Sequence, residues 1–256
     1  MTHVNSYTPP NPVSPEDNRN TPAEQYDHHF VFPVKTLRSD RVELRPFVPS
    51  LHAQLLADGL MANPIMLEWL PLNVSSVDDI LVWAEKSRRD PSFLYHAIYT
   101  APPGPNADQT PRDQYVFAGG IGITNSSAAD SQAEIGWIMI LPEFQRTHVL
   151  SHAAGLVMHR ILDDKADGGL GLRRCQWFTN SKHVKSQAAA HRLGFTHEGI
   201  LRAHRVLLPG KTGARAGRKG EDEECASRDT WVASVYWEEW QDGVREHVDK
   251  LMARKE

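Results

Sequence analysis

The segment Gln145-Arg146-Thr147-His148-Val149-Leu150-Ser151 is where backbone and side chains together could do chemistry. It joins a run with strand character to a run with helix character. Before it, Ile135, Trp137, Met139 and Leu141 alternate with Glu134, Gly136, Ile138 and Ile140. Apolar groups therefore stand on both faces, as in a central strand covered on each side. Pro142 has no N–H to give to a ladder and ends that strand. From His148 the period changes, and Val149, Ala153, Leu156, Val157 and Ile161 form one apolar stripe of a helix. A turn of this kind aims several backbone N–H groups at one spot, at the positive end of the helix dipole. Such a spot binds phosphate.

Composition narrows the classes of function. The 256 residues carry a net charge of −4, which gives no general attraction for nucleic acid or an anionic membrane. No apolar run approaches the roughly 20 residues of a membrane span. Thirteen histidines are scattered, and the closest pair, His28-His29, lies in a polar stretch, so no metal site is expected. Two cysteines, Cys175 in an expected strand and Cys225 in an expected loop, do not form a disulfide framework. The first twenty residues lack an apolar core, which argues against a signal peptide. A cytoplasmic protein is the expectation.

The elements around the segment follow from pattern. Residues 1–30 are rich in Pro, Asn, Ser and charge and read as a disordered polar tail. Thr36–Phe47 reads as a first strand, and helices follow over 48–60 and 77–89, with Ser76 as a cap and Asp78 and Asp79 at the positive dipole end. Further strands are expected at 93–100, 115–124, 174–179, 195–207 and 230–236, with helices at 148–164 and 183–193. Gly194 stands where a helix terminator belongs. The segment 209–228 interrupts the last two strands, and its glycines suggest a mobile loop. Its Lys211, Arg215, Arg218 and Lys219 precede a compensating acidic run. Trp237, Trp240, Val244, Val248 and Leu251 predict a C-terminal amphipathic helix over 237–256, packed on the domain or forming a dimer surface. The fold class is mixed α/β: a mostly antiparallel sheet of about seven strands with about four helices plus the C-terminal one.

Six short strings, in order over 36–236, carry a resemblance: LRP (44–46), AEIGW (133–137), PEFQRTHV (142–149), SQAAAHRLGF (186–195), GILRAHRV (199–206) and RDT (228–230). Together they resemble the GCN5-related N-acetyltransferases (GNAT family), in the RimJ/RimL-like branch. In the general motif of that family, small residues stand where this chain has His148 and Leu150.

The resemblance implies acetyl-CoA as co-substrate and a primary amine, on a small molecule or a protein N-terminus, as acceptor. It implies direct transfer in a ternary complex, by a monomer or homodimer. It places the donor on Met139, Ile140 and Leu141 of the strand end and on Gln145, Arg146, Thr147, His148, Val149, Leu150 and Ser151. It makes Ser186 the hydroxyl beside the CoA sulfur, Glu134 a carboxylate able to draw the amine proton, and His183 the occupant of an Asn position, with Asn180 three residues earlier. Trp69, His204 and Arg205 fall on the acceptor side. The alternative is a catalytically weak CoA-binding or protein-interaction domain of the same fold.

Overall fold

The strand–turn–helix segment lies at the middle of an eight-stranded sheet in a computed structural model that describes residues 3–104 and 107–254. The ends of the expected tail and C-terminal helix (1, 2, 255, 256) and residues 105 and 106 of the 102–112 loop lie outside the described residues. The strands are β1 (Leu37–Arg38), β2 (Val42–Pro46), β3 (Leu94–Thr100), β4 (Val116–Ser127), β5 (Gln132–Ile140), β6 (Arg174–Asn180), β7 (Thr196–Val206) and β8 (Ser227–Tyr236). Their spatial order is β1-β2-β3-β4-β5-β6-β8-β7. Among the described residues β5 and β6 alone run parallel, joined by α3 (Val149–Leu162). The expected first strand is a hairpin instead, which raises the count to eight. Ser39 turns the chain: its N–H donates to Val42 O at 2.9 Å, and its Oγ accepts the Val42 N–H at 3.0 Å.

Alternation along the strands divides the apolar side chains between two cores. On one face Leu44, Ile98, Ile123 and Ile135 meet Val149, Ala153, Val157 and Ile161 of α3. On the other, Tyr95 and Ala97 meet Leu56 and Leu60 of α1 (Pro49–Ala62) and Ile80 and Trp83 of α2 (Val77–Arg88). Ile161 is fully buried, and truncating such a side chain to alanine costs about 2–5 kcal/mol. A slip of one residue would turn every such group outward, so these clusters set the strand register. Asp79 holds the start of α2 by accepting the N–H groups of Ser75 and Ser76 at 2.8 and 3.0 Å. α4 (Val184–Arg192) ends at Gly194, whose φ of +93° suits glycine and lets Phe195 N–H return to Ala190 O at 3.0 Å.

Three segments differ from their sequence expectation. The polar stretch 3–30 has one short helical turn, Ala23–Gln25, but it is held against the α1/α2 layer: Tyr26 is buried, Asn18 donates to Glu85 and Ser50 to Thr21 O. The loop 209–228 is tied down by its own cations. Lys211 donates to Leu67 O and Leu72 O at 2.7 and 2.9 Å, and Arg215 forks onto Asp229. The C-terminal segment is not one helix. Gly243 at φ +134° breaks it into α5 (Trp237–Glu239), a wide turn, and α6 (Arg245–Met252), which lets Val248 and Met252 close on Gly155 of α3. No helix among the described residues is long and apolar enough to cross a membrane.

Candidate active site

The site begins where β5 and β6 part. Their pairing covers Gln132–Ile135 against Arg174–Trp177 and then stops, although β5 runs on to Ile140 and β6 to Asn180. A bulge in β5 lies at this point. On β4 the register moves from Gly122 opposite Gly136 to Gly120 opposite Met139, so Trp137 and Ile138 together face the single residue Ile121. Trp137 has a φ of +51° and turns its ring to the α1/α2 face, 5.3 Å from Trp83 and 6.2 Å from Phe93. The bulge also inverts the alternation read from sequence: Ile135 belongs to the α3 core and Met139 to the α1/α2 core.

A cavity of about 520 Å³ occupies the gap. Its wall takes Glu134, Thr124 and Trp137 from one face of the sheet and Trp177 and Ser186 from the other. Trp69 and Pro71 from the joint between α1 and α2, and Arg205, Val206 and Leu207 from the end of β7, form its mouth. The fold thus brings together Glu134, His183, Ser186, Trp69 and Arg205.

Glu134 is 7% exposed, and burial pushes its carboxyl up to about 7. Opposing that shift are a hydrogen bond from Asn125 Nδ2, the charges of Arg228 and Arg205, and the Phe178 backbone N–H. Desolvation wins because the carboxyl is almost wholly removed from bulk solvent. A carboxyl in this state both accepts and releases a proton near neutrality.

Across the split, Ser186 Oγ accepts the indole N–H of Trp177 at 3.0 Å. His183, at the start of α4, stacks on Trp69 with ring centres 5.4 Å apart and planes inclined by 15°. Burial, and then the charge of Lys185, lower the pKa of His183, so the ring is neutral at pH 7. Asn180 is 1% exposed; its Oδ1 accepts the Lys182 N–H at 2.9 Å, while its Nδ2 is buried without a hydrogen-bond partner. His204 does not reach the cavity: Nδ1 lies 3.0 Å from Thr230 Oγ1.

The loop 145–151 borders β5 but does not line the cavity. Gln145, although exposed, donates from its side chain to Ile140 O at 2.8 Å, and Thr147 Oγ1 donates to Phe144 O at 2.7 Å. Arg146 stands exposed at φ +62°. Val149 and Ser151 are buried, and Leu150 packs against the α3 core. His148 swings to the opposite side, where Nε2 sits 3.0 Å from Thr100 Oγ1 and borders a separate cavity of about 230 Å³. Arg192 at the end of α4 donates to Ser151 Oγ at 2.9 Å, which sets a cation beside the first turn of α3. That turn has N–H groups with no carbonyl in their own helix. Met139, Ile140 and Leu141 have buried side chains, so only their backbone can meet a ligand.

Trp137, Trp177, Asn125 and Arg228 also belong to the cavity, and pattern reading missed them. Trp137 was assigned to a regular strand face; Gly136 before it was the only local sign of the bulge. Arg228 was visible as part of RDT, but its position opposite Arg205 needed the β7–β8 register.

Among curated proteins none matches this chain. Solved structures do. A GCN5-related N-acetyltransferase from Brucella melitensis superposes with a TM-score of 0.67 at 24% identity, over 86% of this chain and 87% of that one. RimJ of Mycobacterium smegmatis, solved with CoA-disulfide, gives 0.58 at 19% identity over 85% and 93%. RimL, a ribosomal L7/L12 alpha-N-protein acetyltransferase solved with coenzyme A, gives 0.58 at 17% over 80% and 99%. The family model described as the acetyltransferase (GNAT) domain matches residues 41–196, and the chain belongs to that family.

Proposed function

We propose that this protein moves an acetyl group from acetyl-CoA to a primary amine, in the manner of the RimJ/RimL-like branch, with both substrates bound at once. The observation that carries this reading is the passage through the sheet at the β5–β6 split. A carboxyl that titrates near neutrality stands on one side of it, and a hydroxyl on the other.

Acetyl-CoA supplies an activated thioester, and the residues present fit it. The edge of β5 beyond Ile135 is unpaired on its β6 side and can receive an extended arm as a further strand. The buried Nδ2 of Asn180 is a donor that needs an acceptor. The first turn of α3, with the loop 145–151 and Arg192, offers N–H groups and a guanidinium to phosphates. The RimJ and RimL structures, solved with CoA-disulfide and coenzyme A, support a CoA thioester as the donor.

The amine enters from the mouth bounded by Trp69 and Arg205, toward Glu134. Glu134 takes the amine proton, directly or through water, because its carboxylate form is available near neutral pH. The Ser186 hydroxyl meets the departing sulfur. Its oxygen already accepts from Trp177, which leaves its own proton to donate. His183 stacks on Trp69 and holds the α4 start against the mouth. The acceptor is a small amine or a peptide N-terminus, the latter being what RimL acetylates.

The test is titration of acetyl-CoA into the purified protein by calorimetry, with thiol release followed over pooled amines for wild type, Ser186→Ala and Glu134→Gln. Binding with release that both substitutions reduce is the expected result. No binding of acetyl-CoA would overturn the proposal.

A further inference from the structure

Arg205 and Arg228 stand directly opposite each other on β7 and β8, and both line the cavity that holds Glu134. Like charges facing across a strand pair repel, and the pair is not neutralised locally. Among the described residues neither guanidinium has a salt bridge; Arg228 Nε donates to Thr230 Oγ1 at 2.9 Å. Asp229, the acid next in sequence, is engaged elsewhere. It takes the fork of Arg215 at 3.0 and 3.0 Å and the Ala203 N–H at 2.7 Å. Glu134 is the one carboxyl near them within the cavity, and it is half protonated near neutrality. Lys86 and Asp90 also line the cavity, one charge of each sign. His183 is neutral at pH 7. The cavity therefore has the half-buried Arg228 and, at its mouth, the exposed Arg205 against a fraction of one carboxylate.

Resting on the transfer reading above, we infer that the acceptor is an amine that also carries a carboxylate, and that Arg205 and Arg228 together seat that carboxylate. A guanidinium presents a planar fork that matches the two oxygens of a carboxylate. Two such forks from adjacent strands cover both edges of one group. With the carboxylate held at the β7–β8 end, the amine of a small amino acid or short acidic peptide extends toward Glu134. Binding also relieves the repulsion between the arginines, so the ligand is favoured over a neutral amine of the same shape.

The test uses protein saturated with CoA, which binds without turnover, and glutarate, glutaramide and inorganic phosphate as probes in thermal-shift and calorimetric titrations. Wild type, Arg205→Gln and Arg228→Gln are compared. The expected result is that glutarate raises the melting temperature, glutaramide and phosphate do not, and each substitution weakens glutarate by about 10-fold or more. CoA affinity stays unchanged in both variants, which also shows that they are folded. An equal response to glutaramide, a response to phosphate alone, or variants that lose CoA rather than glutarate would overturn the inference. If CoA alone fails to bind wild type, the transfer reading falls and this inference with it. If CoA binds and glutarate has no effect, only this inference falls.

Discussion

Trp177 donates its indole N–H to Ser186 Oγ across 3.0 Å, from the last β6 residue paired with β5 to the first turn of α4. This bond fixes the hydroxyl at the point where the sheet opens. With one lone pair engaged by the indole N–H, the Ser186 hydroxyl keeps its own proton to donate. Ser186→Ala should lower kcat by about 100-fold, the low end for a positioned proton donor, with little change in KM for acetyl-CoA. Trp177→Phe keeps the ring and removes the donor, so its loss should be smaller, about 5- to 10-fold. Thiol release with any turned-over amine reads both; an Ala variant with full kcat would remove the hydroxyl from the reaction.

Glu134 makes the reaction and the stability respond to pH in opposite senses. In the proposed role of base it must be ionised, so kcat/KM should rise through about pH 7, and Glu134→Gln should abolish that limb. The folded pKa is raised from 4.5 to about 7, so the folded state binds the extra proton between those values. Stability therefore falls as pH rises across that window, by roughly 3 kcal/mol in all. Denaturant unfolding of wild type and Glu134→Gln at the two ends of the window checks this. The variant should gain on wild type at the alkaline end; a pH-independent difference would mean that Glu134 is not desolvated in solution.

Much of the fold was legible because its cores follow simple periods. The α3 stripe of Val149, Ala153, Val157 and Ile161 and the glycine stop at Gly194 could be read at a distance of four residues or fewer. Glu134 and Ser186 were legible through the strings around them. What stayed hidden depends on pairing between distant strands. The bulge that inverts Trp137 is a mismatch between β4 and β5, and within β5 only Gly136 hints at it. The meeting of Arg205 and Arg228 across a 20-residue interruption is likewise a matter of register. His148 and His204 were assigned to the site by their place in a motif, yet each turns to a threonine elsewhere.

Glu85 anchors the polar N-terminal stretch. It is 3% exposed, and burial alone would raise its pKa. Hydrogen bonds from Arg88, Arg89 and Asn18 more than reverse this and hold it at about 2. A depressed carboxyl adds stability above its unfolded pKa, here 4.5, and loses it as pH falls toward about 2. Glu85→Gln should cost about 2–3 kcal/mol at neutral pH, less than a fully buried pair because both arginines are partly exposed. Urea unfolding should show that cost shrinking between the two pKa values. Faster proteolysis of residues 3–30 in the variant would locate the loss at the tail contact.

His159 clamps the C-terminal segment with the opposite sign. Its Nδ1 lies 2.8 Å from Asp163 Oδ2 and its Nε2 2.9 Å from Asp249 Oδ1 of α6. Burial lowers its pKa, but the two carboxylates outweigh that and the net shift is upward from 6.5. Asp163 also receives the Trp240 indole N–H at 2.8 Å and Arg245 Nε at 2.9 Å, so one carboxylate ties α3 to the turn at Gly243 and to α6. A raised histidine contributes stability that is complete below its unfolded pKa and is lost as pH rises through the folded one. His159→Gln should therefore lower Tm most in mild acid and progressively less as the medium turns alkaline. Amide exchange across Arg245–Met252 should accelerate in the variant under acid conditions and converge with wild type at high pH. A Tm difference that grows with pH would show that His159 packs as a neutral ring and that the clamp does not depend on its charge.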